Sequence, residues 1–200
     1  MNTHHALPPW HDDLAGSLAH AWAMLVRGAG DRRHAFHTPT VATIGADGAP
    51  RLRTVVLRGA EPAARRLRFH TDARSAKASE LAAEPRIALH AYDAGAKLQL
   101  RLDGVATLHR DDAIADAAWA ATRPFSRACY RVAAAPGSAV DDPVSALAEA
   151  GVGDEAGREA FVAVTVAVTR LEMLHLAASG HRRSAFTWVD GTLSATWLVP

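Results

Sequence analysis

The residues best suited to chemistry lie between Pro50 and Leu81, in the run PRLRTVVLRGAEPAARRLRFHTDARSAKASEL. Arg51 and Arg53 alternate with Leu52 and Thr54, and in a strand that alternation puts both guanidinium groups on the face shared by Val55 and Leu57. Thr71, Ser75 and Lys77 then bracket a short polar turn where a helix begins. A hydroxyl and free backbone N–H groups at a helix start favour a phosphate, and the lysine supplies charge. Arg51 and Arg53 alone suit equally well the exposed edge of a sheet. Gln99 sits among apolar neighbours, where its amide can satisfy itself in a sheet or hydrogen-bond a flat heterocycle.

The positive charge is concentrated around this run. Arg51, Arg53, Arg58, Arg65, Arg66, Arg68, Arg74 and Lys77 face only Glu61 and Asp72 in the same interval. Arginine suits planar, bidentate anion contacts, but a genome rich in G and C also produces it. The whole chain carries a formal charge of only +1, too little to argue for a nucleic-acid partner. Its 200 residues, 49% apolar and 22% charged, suit one globular domain with a real core. A single cysteine, Cys129, excludes an intrachain disulfide and points to a reducing compartment. The first residues, MNTHHALPPWHDD, lack a basic-then-apolar signal pattern, and no apolar run is long enough to span a bilayer. These features lead us to expect a cytoplasmic protein with no membrane partner.

The elements that must position these residues follow from periodicity. Trp10–Arg27 reads as a helix capped by Asp12 or Asp13 and stopped by Gly28 and Gly30. His37–Ile44 and Arg51–Leu57 read as strands of a hairpin across Ala46-Asp47-Gly48-Ala49, and Arg66–His70 as a third strand. Ser75–Ala83 is a short helix ended by Pro85. Arg86–Tyr92 and Lys97–His109 pair across Asp93-Ala94-Gly95, with a bulge or bend at Gly104. Asp111–Thr122 is helical, with acids in its first turn. Arg123–Gly137 is irregular or weakly helical. Ser138–Gly157 reads as a mobile insertion with a helical stretch at Pro143–Ala150. Phe161–Leu176, His181–Val189 and Thr192–Leu198 are closing strands, the last two joined by the favoured two-residue turn Asp190-Gly191. Short turns between consecutive strands argue against a parallel, doubly wound sheet. A mainly β chain with flanking helices, closed as a small antiparallel barrel, is the simplest solution.

Other motifs carry less. Gly28-Ala29-Gly30-Asp31-Arg32-Arg33 begins like a dinucleotide fingerprint but lacks its third glycine and follows a helix, not a strand. There is no Walker-type phosphate loop. The eleven histidines lack an acid or cysteine at ligand spacing, so no metal site is expected. Cys129 has no nucleophile signature and reads as a buried thiol, and there is no nucleophile elbow.

In their order, Arg53-Thr-Val-Val-Leu-Arg58, Phe69-His70-Thr71, Ser75-Ala76-Lys77, Gln99 with Gly104, and Arg123-Pro124 resemble the pyridoxamine 5′-phosphate oxidase superfamily, most closely its oxidase-related FMN-binding branch. The likeness runs from about His37 to Val189. It implies a six- to eight-stranded antiparallel split β-barrel, a homodimer, and FMN at the subunit interface. Carried over by position, Arg53, Thr54, Val55, Val56 and Leu57 would lie along the flavin, with Arg53 reaching the phosphate. His70 and Thr71 would replace the family's Tyr-Thr pair, Ser75 and Lys77 would hold the phosphate, and Gln99 would face the ring system. From the other subunit, Ser138 would stand near the family's Gln-Ser pair, and Arg182 and Arg183 near its C-terminal arginine. Dimerisation has a physical reason as well: a small barrel holding a flavin needs a second wall, and isologous pairing supplies two equivalent sites across an apolar interface.

The departures fall mainly in the substrate half. Ala76 stands where the family oxidase has a phosphate-binding arginine, with Arg74 as the nearest substitute. Leu174 replaces a tryptophan, Arg58 a lysine that contacts substrate, and Trp119 a tyrosine. His181-Arg182-Arg183-Ser184 replaces an Arg-Leu-His substrate signature. The resemblance therefore implies an FMN-dependent oxidoreductase that does not act on pyridoxine or pyridoxamine phosphate, with no catalytic acid or base identifiable. Alternatives are a non-catalytic flavin carrier, a haem-binding relative on the same barrel, and, last, a generic anion- or nucleic-acid-binding barrel. That last reading lacks aromatics: Phe69 is the sole aromatic residue of the basic stretch.

Overall fold

The structure, a computed structural model, describes residues 7–144, 153 and 155–200. Helix α1 (Leu14–Gly30) opens it. Asp13 is its N-cap, accepting from the Ala15 and Gly16 amides, each at 3.0 Å, so the helix starts later than Trp10. It runs through Gly28 and ends, as expected, at Gly30. Gly28 serves packing: a Cβ there would lie 2.7 Å from the Phe36 carbonyl oxygen. Its buried face (Ala21, Trp22, Met24, Leu25) joins the main core.

Nine strands form one antiparallel sheet: β1 (Thr40–Ile44), β2 (Pro50–Thr54), β3 (Leu57–Glu61), β4 (Arg66–Asp72), β5 (Arg86–Asp93), β6 (Leu98–His109), β7 (Phe161–His175), β8 (Arg182–Val189) and β9 (Thr192–Leu198). Helix α2 (Ala76–Ala83) follows β4, and α3 (Ala113–Ala120) and α4 (Pro124–Arg127) follow β6. The expected count of six to eight strands is thus too low. The stretch Arg51–Leu57 is not one strand: β2 pairs with β1, whereas Leu57 already pairs with Phe69 of β4. The ladder runs β2-β1-β5-β6-β7-β4-β3 and stays open. Its two end strands are joined by Val55-Val56, a link of at most about 11 Å, so the chain itself draws the edges together.

Strand β7 makes the split. Its first half, Phe161–Ala167, pairs with β4; its second half, Arg170–His175, pairs with β8; β6 runs along its other edge. Gly104 bends β6 to keep that contact. The register shifts between Asp103 and Gly104, and a Cβ on Gly104 would stand 2.5 Å from the Ala167 carbonyl oxygen. The β8–β9 turn takes the expected hairpin form, with positive φ at Asp190 (48°) and Gly191 (79°). Leu25, Phe36, Leu57, Leu67, Phe69, Leu98, Leu100, Leu171 and Phe186 fill the barrel. A smaller cluster, Ala118, Trp119, Phe161 and Ala163 with Tyr130, lies beneath α3. Most of the expected helix Pro143–Ala150 falls outside the described residues. No helix among the described residues is long and apolar enough to cross a membrane.

Candidate cofactor site

Strand β4 alternates. Leu67, Phe69 and Thr71 point into the barrel, and Arg66, Arg68 and His70 point out. Its inward face therefore delivers Thr71 to the head of α2. There the Lys77 ammonium donates to Thr71 Oγ1 (2.7 Å), and the Thr71 and Ser75 hydroxyls lie 3.0 Å apart. Both hydroxyls are buried. Ser75 occupies the N-cap of α2 but does not cap it, because its Oγ donates to the Asp72 carbonyl at 2.7 Å. The Ala76 and Lys77 amides consequently meet no acceptor among the described residues. Burial, then the neighbouring Arg53, pull the Lys77 pKa below the usual lysine value. Two hydroxyls, an ammonium and open amides at an eight-residue helix make a donor-rich cradle. That donor set fits a phosphate ester such as that of FMN.

Arg53 reaches the same place from β2. It sits on the face of Val41 and Thr43, against α2, where Nη2 donates to Glu80 Oε2 (2.8 Å) and Nη1 to the Arg51 carbonyl (3.0 Å) and to Thr43 Oγ1. Thr43 in turn donates to Glu80. Neither Thr43 nor Glu80 was foreseen. Glu80 lies three residues after Lys77, so helical spacing alone could have placed the two on one face.

The other candidates stand elsewhere. Thr54 is exposed and Val56 half-buried in the link; Val55 and Leu57 are buried, and Val55 N–H is tied to the Pro39 carbonyl at 3.0 Å. His70 faces away from Thr71, edge-on to Phe161 at 4.8 Å between ring centres. Its buried Nε2 has no partner among the described residues, and burial, reinforced by Arg68 and Arg58, lowers its pKa to about 3. Arg74 does not substitute for the arginine absent at Ala76: it is bound to Asp72 (2.7 Å) and to the Val132 and Ala133 carbonyls. Gln99 lies on the outer face of β6 beside His90 (3.3 Å). Arg183 shares that outer face in a row through Leu174 and binds Glu172 at 2.7 Å. Arg182, one residue earlier, turns the other way to Asp12 (2.6 Å). Ser138 is exposed in the segment after α4. Within one chain, then, Arg53, Thr71, Ser75 and Lys77 come together, and Gln99, Ser138, Arg182 and Arg183 do not join them. Cys129, expected to be buried, is exposed.

Residues 8–110 match the family model described as pyridoxamine 5′-phosphate oxidase, FMN-binding domain. The chain belongs to this family. Among solved structures it is similar to a pyridoxamine 5′-phosphate oxidase-related, FMN-binding protein of Nostoc punctiforme PCC 73102, at 25% identity and a TM-score of 0.74, covering 98% of this chain and 100% of that one. PhzG of Burkholderia lata 383, solved with tetrahydrophenazine-1-carboxylic acid, shares the fold at 20% identity and a TM-score of 0.74, over 98% of both chains. So does a protein of Clostridium acetobutylicum related to general stress protein 26, at 12% identity and a TM-score of 0.53, over 90% of this chain and 94% of that one.

Proposed function

We propose that this protein is an FMN-dependent oxidoreductase that works as a cytoplasmic homodimer, on a substrate other than pyridoxine or pyridoxamine phosphate. One observation carries the reading: the convergence of Thr71, Ser75, Lys77 and Arg53 at the open head of α2. These residues bind the FMN phosphate, and Val55 and Val56, between the two ladders, lie along the flavin. Bound FMN supplies the electron and hydride transfer, which no side chain here can supply. The chain's part is to orient the cofactor and exclude water.

The homodimer draws support from the outer sheet face. Ile44, Leu52 and Val105 are exposed there, around a depression of about 480 Å³ that Ala42, Ile44 and Val105 help to line. A partner's copy of this face covers that apolar area and brings Gln99, Ser138, Arg182 and Arg183 to a shared site.

One observation favours a second reading, a flavin carrier without turnover. Arg182 and Arg183, at the place of the family's substrate signature, are engaged by Asp12 and Glu172 and not free for a substrate anion. Absorption and fluorescence titration of purified protein with FMN, with sedimentation, test the proposal. Stoichiometric FMN on a dimer is expected. A colourless protein that takes up no FMN, a Soret band, or a monomer would overturn it. Reduction by NADH or NADPH followed by turnover with an acceptor separates the enzyme from the carrier.

A further inference from the structure

The contact that holds Arg53 is built from three elements. Thr43 comes from β1, Arg53 from β2 and Glu80 from α2, and each bonds to both others. Thr43 is 1% exposed, and the Arg53 and Glu80 side chains are 23% and 11% exposed. The bonds to Thr43, the Arg51 carbonyl and Glu80 use both Nη1 hydrogens of Arg53 and one on Nη2. Nε–H and the second Nη2–H have no partner among the described residues, and Nε is not sealed from solvent. Those two donors form one edge of the guanidinium, the edge that meets a phosphate in bidentate fashion.

We infer that Glu80, locked by Thr43, is the positioning residue that aims this free edge of Arg53 at the cofactor phosphate; the inference rests on the FMN reading above. An unanchored arginine must lose several rotors on binding, whereas one held by a buried carboxylate is already oriented. The alternative is that Glu80 merely occupies Arg53 until phosphate displaces it. Burial argues against this, because breaking a largely buried ion pair leaves a carboxylate uncompensated. Glu80 also lies three residues from Lys77 on the same helix and, after Asp72, raises the Lys77 pKa against the larger lowering by burial and Arg53.

The test compares FMN with riboflavin, which lacks the phosphate, by fluorescence titration of the full-length protein. The readout is the ratio of the two affinities, which a general loss of structure leaves in place. Glu80→Ala is expected to lower the ratio about tenfold, the worth of one charged hydrogen bond. Glu80→Gln, which still accepts from Arg53, should stay within about threefold of the parent ratio. Thr43→Val keeps the ion pair but frees Glu80, and should lower the ratio by a smaller factor; it also serves if Glu80→Ala does not fold. An unchanged or increased ratio in Glu80→Ala, or a Glu80→Gln ratio as low as that of Glu80→Ala, overturns the inference. If the parent protein binds neither flavin, or binds both equally, the FMN reading itself fails, and that outcome is distinct.

Discussion

Holding His70 neutral should make stability depend on pH in a calculable way. The ring lies edge-on to Phe161, its buried Nε2 has no partner among the described residues, and burial with Arg68 and Arg58 takes its pKa from 6.5 to about 3. Between those two values the unfolded chain binds a proton that the folded chain refuses. Stability is therefore full above the unfolded pKa and declines as the pH falls, by about 1.4 kcal/mol per unit. At pH 5 the loss relative to pH 7 is about 2 kcal/mol, rising to roughly 4 kcal/mol near pH 3. His70→Phe removes the titration and keeps an aromatic ring against Phe161. Urea denaturation at one fixed protein concentration, at pH 7, 6 and 5, gives the stability difference between variant and parent. Whatever its value at pH 7, that difference should move in the variant's favour by about 2 kcal/mol by pH 5. A difference that stays constant, or a His70 ring that titrates in the folded protein at its ordinary value by NMR, would refute the reasoning.

Lys77→Met should weaken FMN about tenfold or more and leave riboflavin unchanged, since only the phosphate contact is lost; fluorescence titration measures both. Gly104→Ala forces a Cβ to within 2.5 Å of the Ala167 carbonyl oxygen and should destabilise the protein by about 1–3 kcal/mol, read as a lowered Tm. Asp13→Ala removes the acceptor for both the Ala15 and Gly16 amides and should cost about 1 kcal/mol in urea unfolding, with the fold retained by circular dichroism.

The local features were legible in the sequence, and those that depend on a change of partner were not. Asp190-Gly191 and Gly104 behave as read, because turn chemistry and the absence of a Cβ act within a few residues or at one contact. Strand β3 was missed because strand composition continues from Arg51 through Leu57, while the break at Val55-Val56 reflects the chain leaving β1 for β4. The same division holds at the site. Thr71, Ser75 and Lys77 lie close enough in sequence to be read together. The partner of Arg53 lies 27 residues away and meets it only because α2 lies over β1.

The basic run that dominates the sequence also breaks into parts with different work. Arg51, Arg66 and Arg74 are each paired with a neighbouring carboxylate, Asp47, Glu61 and the buried Asp72, and the two exposed pairs, those of Arg51 and Arg66, contribute little to stability. Arg65 lies 5.5 Å from the Trp188 ring centre, and Arg58 and Arg68 act on His70 on the far face of β4 from Thr71. Of these cations Arg53 and Lys77 meet at the head of α2, Arg53 held by Glu80 and Lys77 by Thr71. The field at the cradle thus comes from two cations, the nearby carboxylates of Asp72 and Glu80, and a set of hydroxyls and amides, not from the run as a whole. Ala76 has no cationic stand-in, because Arg74 is held by Asp72 and two carbonyls. On the FMN reading proposed above, the cradle must therefore rely on orientation more than on charge, and the inference drawn for Glu80 assigns that orientation of Arg53 to one carboxylate.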